Sequence, residues 1–360
     1  MAFESLRRIF LPWSHESILY EVTPRCNLRC RHCYNVWKDP GGYSQEELPT
    51  DRALALIDRA IRESKCRQFT LTGGEPLLHR DLEQLVAAAR EGCDYVVLIT
   101  NGTLLPEERV QALVQAGVSL FELPLNSGDR ETHDQMAGSD GCFDKVTKAA
   151  ADIRYHGAEV AFVFVATATN ADDWREALEL GIALGATNFL FNRYNAGGAL
   201  HTSPGDLMPS VDQVRRGLAV AQEYAEEYGV GIGASIAIPP CLIDPSEFPD
   251  VGFGFCAAGT DRAYYTIDPI GNVRPCNHSP TVIGNLFANS LKEIATSQAL
   301  RDFMAARPEF CAGCAIENEC MGGCKAAAEV CYGSLTACEP FLELNKAHAT
   351  KLAPQRHTRS

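Results

Sequence analysis

The feature that most constrains the fold is a sixfold alternation of short apolar runs with amphipathic stretches across the first two-thirds of the chain. Ile18–Val22, Gln68–Thr72, Tyr95–Thr100, Leu120–Leu125, Val160–Thr167 and Asn188–Asn192 read as strands, being rich in β-branched and aromatic residues. Between and after them, Asp51–Ser64, Asp81–Glu91, Glu107–Gln115, Phe143–His156, Asp173–Leu184 and Val211–Glu227 read as helices. The first carries Leu54, Ile57 and Ile61 at helical spacing, with Thr50 as its expected N-cap. Strand–helix units in series predict a parallel sheet with right-handed crossovers. Near-continuous apolar strands suit a sheet covered by helices. Six units fall short of the eight in a closed TIM barrel. The expected fold class is therefore α/β: an open, partial (β/α)6 barrel over residues 1–235, with its ligand site at the C-terminal strand ends.

Beyond Gly233 the character changes. Residues 236–255, rich in Pro and Gly, read as a linker. Residues 256–345 read as a small cysteine-rich domain and 346–360 as a tail. Runs on either side of Pro269-Ile270-Gly271 look like a hairpin, and Leu291–Ala306 reads as a helix. The chain holds 15 cysteines, an odd number, and MAFESLRRIFLPW is too short and interrupted for an export signal, so a disulfide framework is not expected. The cysteine-rich part has little core of its own and is expected to need bound metal to fold. Cys66, Cys93, Cys142, Cys241 and Cys331 stand outside the clusters and read as small buried apolar residues. A net charge of −14 argues against nucleic acid as a partner. No apolar run reaches the ~18 residues of a membrane span, so no membrane partner and a cytoplasmic location are expected.

Three motifs carry chemistry. Cys26, Cys30 and Cys33 form a C-x3-C-x2-C loop directly after the first strand. Three thiolates on one loop can hold three irons of a [4Fe–4S] cube and leave the fourth open to a small molecule. A zinc site with His32 as fourth ligand is the alternative. Gly73-Gly74-Glu75-Pro76 follows the second strand, offering close backbone approach and a carboxylate at the mouth, and Thr100-Asn101-Gly102 follows the third. The third motif is Cys256, then Gly271-x4-Cys276, then Cys311-x2-Cys314-x5-Cys320-x3-Cys324, then Cys338. A zinc ribbon could use Cys311, Cys314, Cys320 and Cys324 but would leave Cys256, Cys276 and Cys338 unexplained.

Together these motifs resemble the radical S-adenosylmethionine (SAM) superfamily with a C-terminal SPASM domain, over residues 17 to about 340. The resemblance implies an iron–sulfur oxidoreductase with SAM and three [4Fe–4S] clusters, one binding SAM and two auxiliary. Cys26, Cys30 and Cys33 would hold the catalytic, SAM-binding cluster. Gly73, Gly74 and Glu75 match a segment that contacts the SAM amino group, and Asn101 a segment near the ribose. Arg193, after the sixth strand, is a candidate for the SAM carboxylate. At the fourth strand relatives read Ser-Leu-Asp-Gly where this chain has Pro124-Leu125-Asn126-Ser127, so Asn126 is only a candidate cofactor contact. Cys311, Cys314, Cys320 and Cys338 would hold the second auxiliary cluster, and Cys256, Cys276 and Cys324 the first. Some relatives complete that first set with a cysteine where this chain has Arg262, so its fourth ligand is open, Cys241 or Cys331.

The resemblance implies reductive cleavage of SAM to a 5′-deoxyadenosyl radical, which takes a substrate hydrogen atom. The substrate it suggests is a peptide, oxidised or cross-linked after translation. The alternative is a small molecule or cofactor precursor, and a third reading is a non-catalytic electron carrier. An external donor of flavodoxin or ferredoxin type is implied. About 17 residues precede the first strand, so leader recognition is expected from a separate leader-binding protein or from the barrel itself. The sulfatase-maturing branch has an aspartate proton acceptor where this chain has Asn277, which disfavours formylglycine formation and leaves His278 as a candidate acceptor. The pyrroloquinoline-quinone branch differs in the spacing of its last cysteine group.

Overall fold

The computed structural model describes residues 17–36, 44–197, 205–260 and 263–351; Arg262 lies outside them. The expected strands form where the apolar runs stand: β1 (Ser17–Glu21), β2 (Gln68–Thr72), β3 (Tyr95–Ile99), β4 (Leu120–Pro124), β5 (Glu159–Ala166) and β6 (Asn188–Arg193). Each pairs in parallel with the next, the arrangement that intervening helices permit. The helices are α1 (Thr50–Ser64), α2 (Leu82–Gly92), α3 (Glu107–Ala116), α4 (Arg130–Ala137), α5 (Cys142–Tyr155), α6 (Trp174–Ala183) and α7 (Val211–Tyr228). Alternation along the strands separates two faces. One carries Ile18, Phe69, Leu98, Phe121, Phe164 and Phe191 into a core shared with Leu56, Val86, Leu113 and Trp174 of the helices. The other, facing the barrel lumen, has an apolar floor of Tyr95, Val97, Leu120 and Ala161.

The sheet extends at both edges beyond the expected six strands. Its order is β11 (Gly284–Asn285), β10 (Asn272–Arg274), β9 (Tyr265–Ile267), β1, β2, β3, β4, β5, β6, β7 (Gly231–Ala234), β8 (Val251–Phe253). β7 (Gly231–Ala234) and β8 (Val251–Phe253) continue it in parallel after β6. Both are short and rich in glycine, so their sequences read as loop. β8 shows that residues 236–255 include a structural strand and are not simply a spacer. On the opposite edge, β9 (Tyr265–Ile267) lies parallel to β1, with Ile18 opposite Tyr265. The expected hairpin is formed by β9 and β10 (Asn272–Arg274), and β11 (Gly284–Asn285) follows. The cysteine-rich segment is thus joined to the barrel through backbone hydrogen bonds of one sheet.

Several local expectations are corrected. Thr50 is the first residue of α1, not its cap; Pro49 holds that position, and the Thr50 hydroxyl donates to Asp81 at 2.5 Å. α4 adds to the expected helices; its polar sequence is started by Asp129, whose side chain accepts from the Thr132 amide at 2.9 Å. The helix expected over 291–306 is two, α8 (Leu291–Ala295) and α9 (Gln298–Ala305), because Ser297 caps a new start. Further on stand α10 (Glu317–Cys320), α11 (Lys325–Tyr332) and α12 (Pro340–Leu344). Cys66, Cys93 and Cys142 are buried as expected, with Cys66 and Cys93 Sγ atoms 3.2 Å apart; Cys241 and Cys331 are only half-buried.

Two buried ion pairs fasten the C-terminal segment to the barrel. Arg274 of β10 pairs with Glu21 of β1 and donates to the Ser279 carbonyl at 2.9 Å. Arg193 of β6 pairs with Glu339 at 2.8 Å, both fully enclosed.

Candidate active site

The loop carrying Cys26, Cys30 and Cys33 leaves the C-terminal end of β1, and its backbone is pinned on both sides. The Gly74 and Glu75 amides donate to the carbonyls of Thr23 (2.8 Å) and Arg25 (2.7 Å). The Arg31 amide donates to Met136 O of α4 at 3.2 Å. Cys26 and Cys30 pack beside Leu28, Ala137 and Cys142, and all three loop cysteines are outside any disulfide and half-buried. A Cβ on Gly73 would stand 2.5 Å from Thr23 O, and one on Gly74 2.2 Å from Arg25 O. The glycine pair therefore allows two chain segments to touch, which locks the cysteine loop onto the end of β2.

Glu75 is fully buried, and its carboxylate is directed into the protein. Oε1 accepts from the Thr100 hydroxyl (2.7 Å) and the Leu77 amide (3.0 Å), and Oε2 from the Asn101 amide (2.8 Å). Burial raises its pKa against the pull of these bonds. Asn101 in turn donates to Asn27 Oδ1 within the cysteine loop at 2.9 Å. The loops after β1, β2 and β3 are thus one hydrogen-bonded unit at the mouth, and the carboxylate expected to face a ligand is its clamp. Asn126 is likewise a brace: its Oδ1 accepts from the Val165 amide at 3.1 Å, joining β4 to β5. Arg193 also departs from expectation. Its Nε and Nη2 donate to Ala237 O (3.0 and 2.7 Å), Nη1 to Tyr194 O (3.2 Å) and Nη2 to Glu339, so its guanidinium is committed to the barrel–C-terminal junction.

The C-terminal cysteines separate into two cavities. One is lined by Cys256, Cys276 and Cys324, with Tyr264, His278 and Lys325. The other is lined by Cys311, Cys314 and Cys320 together with Cys241. Burial pushes the Cys276 thiol up to about 12 and Cys311 up to about 11. Cys338 is buried beside the second set, within electrostatic reach of Cys311. Cys241 therefore stands with the second set and not, as the sequence allowed, with the first. Cys331 does not line the first cavity either; its thiol faces Ala196 O at 3.9 Å.

A polar and aromatic wall links the N-terminal cysteine loop to the first of these cavities. Asn277 donates to the hydroxyl of Tyr34, the residue after Cys33, at 2.8 Å, and accepts from Tyr264 at 3.3 Å. His278 stacks on Tyr34 with ring centroids 3.8 Å apart and planes 7° from parallel. Its Nδ1 lies 2.6 Å from the Asn195 amide nitrogen, which also stands 3.3 Å from Cys324 Sγ. Burial pushes His278 down to about 3. It is a neutral ring whose Nδ1 lone pair accepts from Asn195, which removes it as a ready proton acceptor.

Glu122, which belongs to none of the sequence motifs, is an acidic residue on the lumen side of β4, between the pairing partners Ile99 and Ala161. The signal was available: a carboxylate inside LFELPL is costly unless the site uses it. Burial pushes it from 4.5 to about 7. The folded chain then binds a proton that the unfolded chain has released between these values, so stability is full below about 4.5 and falls as pH rises through about 7. Glu122→Gln is expected to raise the thermal midpoint at pH 8, by roughly 3 kcal/mol of stability, and to change little at pH 4.5. Equal shifts at both pH values would contradict this.

Comparison with known proteins follows the same division. The radical SAM superfamily model matches residues 20–181, and that of SPASM, an iron–sulfur cluster-binding domain, matches residues 256–315. The chain belongs to the radical SAM superfamily. It is a radical SAM enzyme with a SPASM domain, and its cofactors are SAM and [4Fe–4S] clusters. It is 29% identical to the PqqA peptide cyclase of Granulibacter bethesdensis over 92% of this chain and 88% of that protein. In fold it is similar to anSMEcpe with bound AdoMet (TM-score 0.69, 19% identity, 92% of this chain and 95% of that one). It is also similar to Streptococcus suis SuiB bound to the precursor peptide SuiA (TM-score 0.71, 16% identity, 94% and 78%). The partial barrel with its C-terminal iron–sulfur domain is that shared fold. Among the described residues no three Cys, His, Asp or Glu side chains are gathered as ligands of one metal ion. The donor sets present, cysteines outside any disulfide on one loop and around two cavities, fit iron–sulfur clusters, whose irons take one thiolate each.

Proposed function

We propose that this enzyme modifies a peptide, oxidising or cross-linking its side chains. The observation carrying this reading is the similarity to a peptide cyclase along nearly the whole chain. Cys26, Cys30 and Cys33 hold the cluster that binds SAM; Cys256, Cys276 and Cys324 hold the first auxiliary cluster; Cys311, Cys314, Cys320 and Cys338 hold the second. When bound, these groups supply one-electron cleavage of the sulfonium, hydrogen abstraction from substrate and an acceptor for the resulting electron. The chain's own part is to position and shield. The Glu75–Thr100–Asn101 clamp fixes the three mouth loops, and the Tyr34–Asn277–Tyr264 wall sets the first auxiliary site against the cysteine loop. Asn277 has no proton-accepting side-chain chemistry at neutral pH, and His278 is blocked by Asn195. The reading includes a flavodoxin- or ferredoxin-type electron donor, a separate leader-binding protein and a cytoplasmic location; no helix among the described residues is long and apolar enough to cross a membrane.

The test is anaerobic reconstitution followed by dithionite and SAM, with and without a short precursor peptide encoded beside the gene. The expected result is about twelve irons per chain, release of 5′-deoxyadenosine, and a mass change in the peptide. Iron near four per chain, or bound zinc, rejects the auxiliary clusters. Turnover of a small molecule with no change in any candidate peptide would favour the small-molecule reading.

A further inference from the structure

We propose that Cys241 is a fifth thiol of the second auxiliary site and can replace Cys338 as an iron ligand there. This rests on the assignment of Cys311, Cys314 and Cys320 to that cluster. In sequence Cys241 is isolated, lying between the barrel and the cysteine-rich segment. In the fold it shares one cavity with Cys311, Cys314 and Cys320, where it stands on the wall formed by Pro239 and Pro240.

The position is built rather than incidental. The Leu242 and Ile243 amides both donate to Pro239 O, at 2.9 and 3.2 Å, which closes a turn around Cys241. The Cys241 carbonyl accepts from the Thr350 amide at 2.8 Å. The next residue, Lys351, lines the same cavity, with its Nζ 5.2 Å from the Phe310 ring centroid and 3.3 Å from Ala312 O. A cation there suits a cube that carries net negative charge once four thiolates bind it. Cys338 approaches from a different element, just before α12, and does not line this cavity, although its neighbour Leu342 does. A four-iron cube with every iron held by the chain takes four thiolates. Cys311, Cys314 and Cys320 supply three, which leaves Cys241 and Cys338 competing for the fourth position. Cys241 does not line the cavity of Cys256, Cys276 and Cys324.

The experiment compares wild type, Cys241→Ser, Cys338→Ser and the double variant after anaerobic reconstitution. Iron per chain is measured, and each cysteine's alkylation by iodoacetamide is read by peptide mass spectrometry before and after an iron chelator. Both single variants are expected to keep the wild-type iron content, and the double variant to lose about four irons. In Cys338→Ser, Cys241 should become alkylated only after chelation. Loss of about four irons from Cys338→Ser alone, or Cys241 in that variant labelled equally before and after chelation, overturns the proposal, as does full iron in the double variant. Protection of Cys256, Cys276 and Cys324 in every variant reports an intact fold; should the double variant fail this control, the labelling of Cys338→Ser decides. A wild-type protein without C-terminal iron would overturn the assignment of the auxiliary clusters as well, so the two failures are distinct.

Discussion

Cys30→Ala is expected to abolish 5′-deoxyadenosine release while about eight of about twelve irons remain bound. The thiol is one of only three on the loop after β1, so its loss leaves the cluster there with two protein ligands. The loop's path does not depend on the thiol, because it is held by the Thr23–Gly74, Arg25–Glu75 and Arg31–Met136 backbone bonds. The C-terminal cavities draw none of their thiols from this loop. Activity and iron should therefore separate cleanly. Iron per chain, SAM cleavage and thermal unfolding measured on the same preparation check this. Undiminished 5′-deoxyadenosine would refute the assignment of Cys30, and complete loss of iron would show that the loop is needed to fold the rest.

The largest stability effect is expected at Arg193. Arg193→Met should destabilise the iron-loaded protein by about 3–5 kcal/mol, because it strands the enclosed Glu339 carboxylate without a counter-ion. It also leaves the Ala237 carbonyl without the two donors it now receives. Burial already raises the Glu339 pKa even with the arginine present. Without the arginine the carboxyl holds its proton more tightly still, and folding must carry that proton or bury a bare charge. The loss should thus be greater at pH 8 than at pH 6. The double variant Arg193→Met/Glu339→Leu should recover much of it, since an apolar pair of similar volume leaves no charge to strand. Thermal midpoints of the three proteins at both pH values test this. A single variant as stable as wild type would mean that the junction is held by the sheet alone.

The sequence by itself determined the sheet's parallel centre, since β-branched runs separated by helical patterns admit few other arrangements. It also determined which residues could hold iron, because thiol spacing is a local property of the chain. It was silent on the sheet's edges. GIGA and VGF are too short and too interrupted by glycine to announce a strand, and they pair only because β6 and its helix bring a template beside them. The roles of the polar residues at the mouth were decided by tertiary structure alone. Glu75 and Arg193 look alike in sequence, as charged groups at strand ends that could meet a ligand. The fold encloses both and spends their hydrogen-bonding capacity internally, one on the mouth loops and one on Glu339. Burial and partner identity depend on residues distant in the chain, and no local pattern encodes them. The same reason explains Cys241. Its neighbours in sequence mark it as a stray apolar residue, whereas its neighbours in space are three thiols.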